Sequence, residues 1–486
     1  MKTKSIFILT ILLFTCMGRA AAYYEIGYWE YDGEELEYTD LALYIIKGNA
    51  KYAVNNIDMT VHGKNKTSDQ TGSLHFPPTI TANIKTVTDV IFDGDGNFVG
   101  HEWKYSTVTY TVTSVSCGSS GVTSVSIPNT VEYIGQEAFA RCSALKTVSS
   151  SSVKSIQWGA FKNCPELETV SVANSVVYIG YEAFAYCPKF KHLNGVTSID
   201  SIADHAFRQC PSLETVGGRV RHVGYGAFAG SEKLRTFFTG MECIRATAFS
   251  GCTSLEAASV SSAKYIGEDA FSGCTALSSE IFIIAEKVGQ RAFYNCSAIP
   301  KVHINNTVKN IGVSAFYGCT GMEELTFGEN DELEIGKYAF RGCYGLSDVT
   351  IRGKIIGTDA FRDCYNKTGG SGAPQQTIGN YHKIMGNTGG TGLKNVTIDN
   401  SVKTIKDFAF YGCRALETLT IGNSVETIEQ GAFHMCEELT KLTLGDSLRI
   451  LDNHAFNGCT KIEGHIKFPK TVCRFAKAGI FSTKLH

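Results

Sequence analysis

Nothing in the 486 residues sets up a strong electrical field. Lysines and arginines number 45 against 47 aspartates and glutamates, a formal charge of -2. No basic surface argues for nucleic acid, and no long charge run marks an acidic or basic tail. The longest apolar run, Ile6 to Met17, is about twelve residues, and no later stretch approaches the roughly 20 that a membrane helix needs. Catalytic signatures are missing too: there is no G-x-S-x-G, no H-E-x-x-H and no P-loop. Paired carboxylates occur, as at Glu323-Glu324 and Glu437-Glu438, but nothing selects a pair that converges across a cleft as a glycosidase requires. These absences favour a non-enzymatic protein with no cofactor. No C-x-x-C pair supplies a tetrahedral metal set. Asp93-Gly94-Asp95-Gly96-Asn97 hints at calcium, yet Phe98 and Lys104 stand where an EF-hand loop needs Gly and Glu. A glycine-rich hairpin turn is the better reading.

What the sequence has is repetition. Ala138-Phe139 is followed three residues after the Phe by Cys142, and the same A-F-x-x-C returns down to Ala455-Phe456 and Cys459. There are fourteen Ala-Phe pairs, thirteen of them with the Cys; at Ala227-Phe228 its place is taken by Ser231. Successive Phe residues lie 21 to 24 apart, with one gap of 49 between Phe361 and Phe410. A fixed period of this length predicts a mainly β solenoid of about 14–15 coils. The coil at Leu416 shows the pattern: Leu416, Leu419 and Ile421 point inward from one strand while Thr418 and Thr420 point out. Val425 and Ile428 mark a second inward edge, and Ala432-Phe433 turns the chain so that Phe stacks on Phe. The thirteen cysteines share one place in the repeat. In-register side chains point the same way, whereas disulfide geometry needs them to converge, so they read as buried free thiols.

The pattern S-V-x-x-I-G-x-x-A-F-x-x-C-x-x-L-x-x-V resembles that of BspA-type leucine-rich repeats. One copy runs from Ser175-Val176 through Ile179-Gly180, Ala183-Phe184 and Cys187, with Phe190 and Leu193 in place of the last Leu and Val. The resemblance extends from about Val115 to His486. It implies a surface protein with a signal peptide and a long repeat array, of a kind implicated in adhesion to host matrix, cells and other bacteria. The implied partner is an extracellular protein or glycan; a scaffold of this type does not name its ligand.

Around the array the chain divides as follows. Lys2 and Lys4, the apolar run Ile6 to Met17 and Ala20-Ala21-Ala22 read as a signal peptide over 1–22. Leu13-Phe14-Thr15-Cys16 loosely resembles a lipoprotein cleavage site, although Phe14 and Thr15 fit it poorly. Export to the medium or cell surface is expected, with lipid anchoring through Cys16 the alternative, in which case the protein would capture glycans or nutrients. Residues 23–106 lack the repeat and read as a β-rich cap over an otherwise open solenoid end. Phe76-Pro77-Pro78 there echoes Ile127-Pro128 and Phe468-Pro469. The solenoid occupies 107–486, with a Gly-rich loop insertion at 365–392 and a degenerate last coil at 465–486.

Candidate binding residues are those that interrupt an outward column of Thr and Ser, among them Thr147, Ser149, Thr169, Ser171, Thr326, Thr350, Thr397, Thr420 and Thr443. The interruptions are His192 and Asn194 in one coil, Phe238 in another, and Lys301 with His303 in a third. Phe238 would anchor an interface if it faces outward, but a slip of one residue would exchange it with Phe237. Tyr381 and His382 in the inserted loop complete the set. Of five N-x-S/T sequons, Asn295 precedes a column cysteine and is expected to be inaccessible.

Overall fold

The computed structural model of the chain describes the strands between residues 24 and 117, and, with side chains, residues 122–365, 392–462 and 466–474 except positions 173, 175 and 236. The signal peptide, Tyr381 and His382 lie outside the described residues, as does Phe481 of the last coil. Among the described residues there are strands and turns but no helix. The chain divides into two compact units, Met1–Val196 and Thr197–His486.

In the first unit, five strands form one sheet in the order Tyr24–Gly27, Thr79–Phe92, Phe98–Cys117, Asn56–Val61, Asp40–Ala42. Thr79–Phe92 and Phe98–Cys117 pair antiparallel, Phe92 against Phe98 at the end of the ladder; the turn expected at residues 93–97 lies outside the described residues. Side chains of this region lie outside the described residues, so its capping role stays an expectation. Ser73–His75 belongs elsewhere. It pairs in parallel with Ser124–Ile127, Leu74 against Val125, as the first rung of the repeat sheet. The Pro-containing echo after Phe76 therefore marks a rung laid down before the array proper begins.

Most coils then contribute a short strand, a turn, a second strand of two to five residues and the Ala-Phe turn. The first strands of the first unit stack in register, Ser124↔Thr147↔Thr169↔His192 and Ser126↔Ser149↔Ser171↔Asn194. Those of the second unit include Ile281–Ile283, Lys301–Ile304 and Glu324–Phe327, and then Asp348–Ile351, Asn395–Ile398, Thr418–Ile421 and Lys441–Thr443. Leu416, Leu419, Ile421, Val425 and Ile428 are all buried, as their spacing predicts. Thr418 and Thr420 lie outward between them.

The Ala-Phe turn sets the pitch. Phe rings of successive coils lie nearly parallel, Phe139 on Phe161 at 5.3 Å between centroids and Phe293 on Phe316 at 5.1 Å. The Phe N–H donates to the Ala carbonyl of the next coil, as from Phe293 to Ala315 at 2.7 Å. The cysteine closes the same step from the other side: the Cys319 thiol donates to the carbonyl oxygen of Phe293 at 3.2 Å, and Cys296 does so to Phe271 at 3.0 Å. A thiol is a weak donor, but it is small and apolar enough to sit in a dry interior. All thirteen column cysteines are buried and free. The backbone bends sharply to allow this. The residue before Ala and the residue before Cys both adopt left-handed conformations, as do Arg291 (φ 51°) and Asn295 (φ 55°).

The 49-residue gap leaves the stack undisturbed. Phe361 meets Phe410 at 5.2 Å, and the Cys413 thiol reaches the Phe361 carbonyl at 3.1 Å. Residues 365–392 leave the coil through an antiparallel pair, Tyr365–Asn366 with Thr391–Gly392. At the other end, Arg474–Phe475 pairs in parallel with Ile450–Leu451.

Candidate functional site

The outward face of the first strands is where sequence variation is free of packing. Two of the residues singled out from sequence meet there. Lys301 and His303 leave the strand Lys301–Ile304 on the same side, with Val302 and Ile304 buried between them. His303 lies opposite Phe282 on one neighbour and Thr326 on the other. The imidazole stacks on the Phe282 ring at 4.5 Å with planes 19° apart. Its Nδ1 is 2.8 Å from the Thr326 hydroxyl, which fixes the ring's rotation. Lys301 stands between Glu280 at 3.5 Å and Glu324 at 3.2 Å. Glu324 first, and Glu280 with it, hold the ammonium above the ordinary lysine range.

The result is an apolar-aromatic centre bordered by charge. Phe282 is 47% exposed and Ile284 beside it is exposed as well. A ring held by a stacked neighbour has little rotamer freedom left to lose on binding. Aromatic anchors with a polar border are the composition that interfaces favour.

Phe238 does not belong to such a surface. It is fully buried, 5.2 Å from both Phe228 and Phe249, while Phe237 is 53% exposed. The expectation that Phe238 faces outward is thus corrected. In most coils the first inward strand residue follows the turn Leu by three, as Val148 follows Leu145. After Leu234 it follows by four, and one extra residue exchanges the two faces. The same extra residue occurs after Leu277, where Ile281 is the inward residue. That is why Phe282 was missed. The signal was present in Ile281-Phe282-Ile283, whose outer members match Val302 and Ile304 only if the middle one matches His303.

His192 and Asn194 do lie in the outward rows of the first unit, opposite Thr169 and Ser171. They belong to a different unit from Lys301 and His303. Asn295 is exposed, contrary to the expectation from its cysteine neighbour, because its left-handed backbone turns the side chain away from the column. The paired carboxylates bind neighbouring coils: Glu437 meets Arg414 at 3.3 Å and Glu438 meets Lys461 at 2.6 Å.

A second row, on the Ala-Phe turn, was also missed. Tyr294 stacks on Tyr317 at 5.0 Å, Arg341 lies over Tyr317, Arg362 lies over Tyr411 at 4.5 Å, and Tyr411 stacks on His434 at 5.2 Å. These planar groups cover one another's faces, so the row cements coils together.

Fold and surface together define a leucine-rich-repeat β-solenoid that presents outward rows on a rigid interior. The chain belongs to the BspA type leucine rich repeat family, which it matches over residues 111–235, 242–368 and 389–486. Among solved structures it resembles a leucine-rich repeat protein from Bacteroides ovatus ATCC 8483, at 24% identity over 90% of this chain and 94% of that one, with a TM-score of 0.50. A leucine-rich repeat protein from Eubacterium ventriosum ATCC 27560 is 15% identical over 84% of this chain and 96% of its own, with a TM-score of 0.34. The pneumococcal vaccine antigen PcpA is 16% identical over 97% and 93%, with a TM-score of 0.36. No curated protein matches the chain. Among the described residues no helix is long and apolar enough to cross a membrane.

Proposed function

We propose that the protein is an exported, non-enzymatic cell-surface adhesin that binds a host or microbial macromolecule through the outward rows of its repeats. The observation that carries this reading is the Phe282–His303–Thr326 row with Lys301 beside it. The Phe282 ring is braced on one side by His303 and still 47% exposed, with Lys301, Glu280 and Glu324 nearby. Binding there would combine one aromatic anchor with many weak contacts from the flanking Thr and Asn positions, on a scaffold that loses little freedom. The N-terminal Lys2, Lys4 and apolar run support export.

The test is an array of extracellular-matrix proteins and glycans probed with the mature chain. Retention of at least one ligand, lost when Phe282→Ala and His303→Ala are combined, supports the reading. Retention that is unchanged by the pair moves the binding surface elsewhere.

A further inference from the structure

A second feature lies on the other strand of the coil, in the first unit. Tyr133, Ser155 and Tyr178 occupy one outward column, in register on Tyr133–Ile134, Ser155–Ile156 and Tyr178–Ile179. The two tyrosines are 42% and 37% exposed. Serine between them leaves one rung of an aromatic ladder empty. Across two strand spacings the tyrosines stand roughly 9.6 Å apart. A ring placed over Ser155 would then lie roughly 4.8 Å from each, within the range for stacked rings. Where neighbouring coils of this protein both carry rings, the faces do lie against each other along the stack, as for Phe282 with His303 and Tyr294 with Tyr317.

The floor of this gap is polar. Gln157, two residues further on, donates its Nε2–H to the Ser155 hydroxyl oxygen at 2.9 Å. That leaves the Ser155 O–H as a donor and the Gln157 Oε1 as an acceptor. Next to the tyrosines, Lys154 and Glu132 neutralise each other at 2.7 Å.

We propose that the Tyr133–Ser155–Tyr178 slot binds one uncharged pyranose residue of a glycan, a ring between two tyrosine faces with adjacent hydroxyls on Ser155 and Gln157. A partner's aromatic side chain would fit the walls but would leave the donor and acceptor of the floor unmatched. The neutral surroundings favour a neutral sugar over a sialic or uronic acid. Trp158, exposed on the following residue, offers a further ring to the next sugar of the chain. The slot goes beyond the Phe282 surface and does not depend on it.

Titration calorimetry of the full chain with the β-1,4-linked tetrasaccharides of glucose, mannose and N-acetylglucosamine tests the slot. At least one is expected to bind the wild type. Ser155→Tyr fills the gap with the residue already found on both sides, and is expected to weaken binding at least tenfold with the thermal midpoint unchanged. Tyr178→Ala provides a second variant, decisive if Ser155→Tyr does not fold, and is expected to cause a comparable loss. Phe237→Ala, an exposed ring outside the slot, should leave saccharide binding intact, which separates the slot from exposed rings in general. Binding of none of the three sugars, or binding that survives either slot variant in folded form, overturns the proposal.

Discussion

The Ser231 hydroxyl donates to the carbonyl oxygen of Phe207 at 3.1 Å, deep in the interior. It makes the contact that the column thiols make elsewhere, as Cys252 does to Phe228 at 3.3 Å. The one break in the cysteine column therefore preserves the hydrogen bond and changes only the atom that donates. Ser231→Cys is expected to be tolerated, since it restores a thiol known to fit. Ser231→Ala removes this donor and is expected to cost about 0.5–1.5 kcal/mol, the net worth of one hydrogen bond. Chemical denaturation of the two variants checks the order. Equal losses would mean that shape alone governs the column.

Thiol reactivity follows from the same burial. Burial pushes the Cys319 thiol well above the ordinary cysteine range, so the reactive thiolate is scarce as well as hidden. Iodoacetamide under native conditions should label exposed Cys473 readily, half-buried Cys243 slowly, and the thirteen column cysteines hardly at all. Unfolding without reductant should expose all thirteen. Failure of those thiols to appear would show that the column is bridged.

At Gly312 two coils approach too closely for a side chain. A Cβ on Gly312 would stand 2.7 Å from the Gly289 carbonyl carbon and from the Gln290 nitrogen of the coil before. Gly312→Ala must push two coils apart and should cost roughly 1–3 kcal/mol, the range for overpacking. At Gly135 the same change meets open space and should lie within about 1 kcal/mol of wild type on either side. Urea melts of both variants provide the comparison.

His434 makes stability depend on pH. Burial first, and then the nearby His454, hold its imidazole below the ordinary histidine value. Its Nδ1 is buried with no hydrogen-bond partner. The unfolded chain takes up this proton near pH 6.5, and the folded chain only at lower pH. Below about 6.5 the unfolded state thus binds more protons, and stability falls as pH drops until the folded imidazole itself titrates. His434→Tyr keeps a ring on Tyr411, matching Tyr294 and Tyr317 in the same row, and removes the titration. Thermal midpoints at pH 7.5 and 5 should diverge less in the variant than in the wild type. An unchanged gap would place the acid sensitivity elsewhere.

The interior was legible in the sequence because it is periodic. Ala183, Phe184 and Cys187 recur at one spacing, and inward Leu and Ile positions follow from the two-residue alternation of a strand. The outer surface was legible only where coil length held constant. Lys301 and His303 were found because Ile299 to Val302 keeps the usual three-residue step. Phe282 was missed and Phe238 misplaced because one additional residue before each strand reverses its faces. No composition or motif reports such a slip; only the register with the neighbouring coil does. The turn row from Tyr294 to His434 escaped for another reason, since its members are chemically unlike and share only planarity.

Surface plasmon resonance against a macromolecule retained on the array tests the adhesive surface most directly, using Phe282→Ala and, as a control, Phe237→Ala. Both phenylalanines are similarly exposed, but only Phe282 is braced by a stacked histidine beside an ion-paired lysine. Phe282→Ala is expected to raise the Kd at least tenfold, about 1.4 kcal/mol, with Phe237→Ala within about twofold of wild type. A Kd unmoved by Phe282→Ala, or moved more by Phe237→Ala, would contradict the assignment of the binding surface.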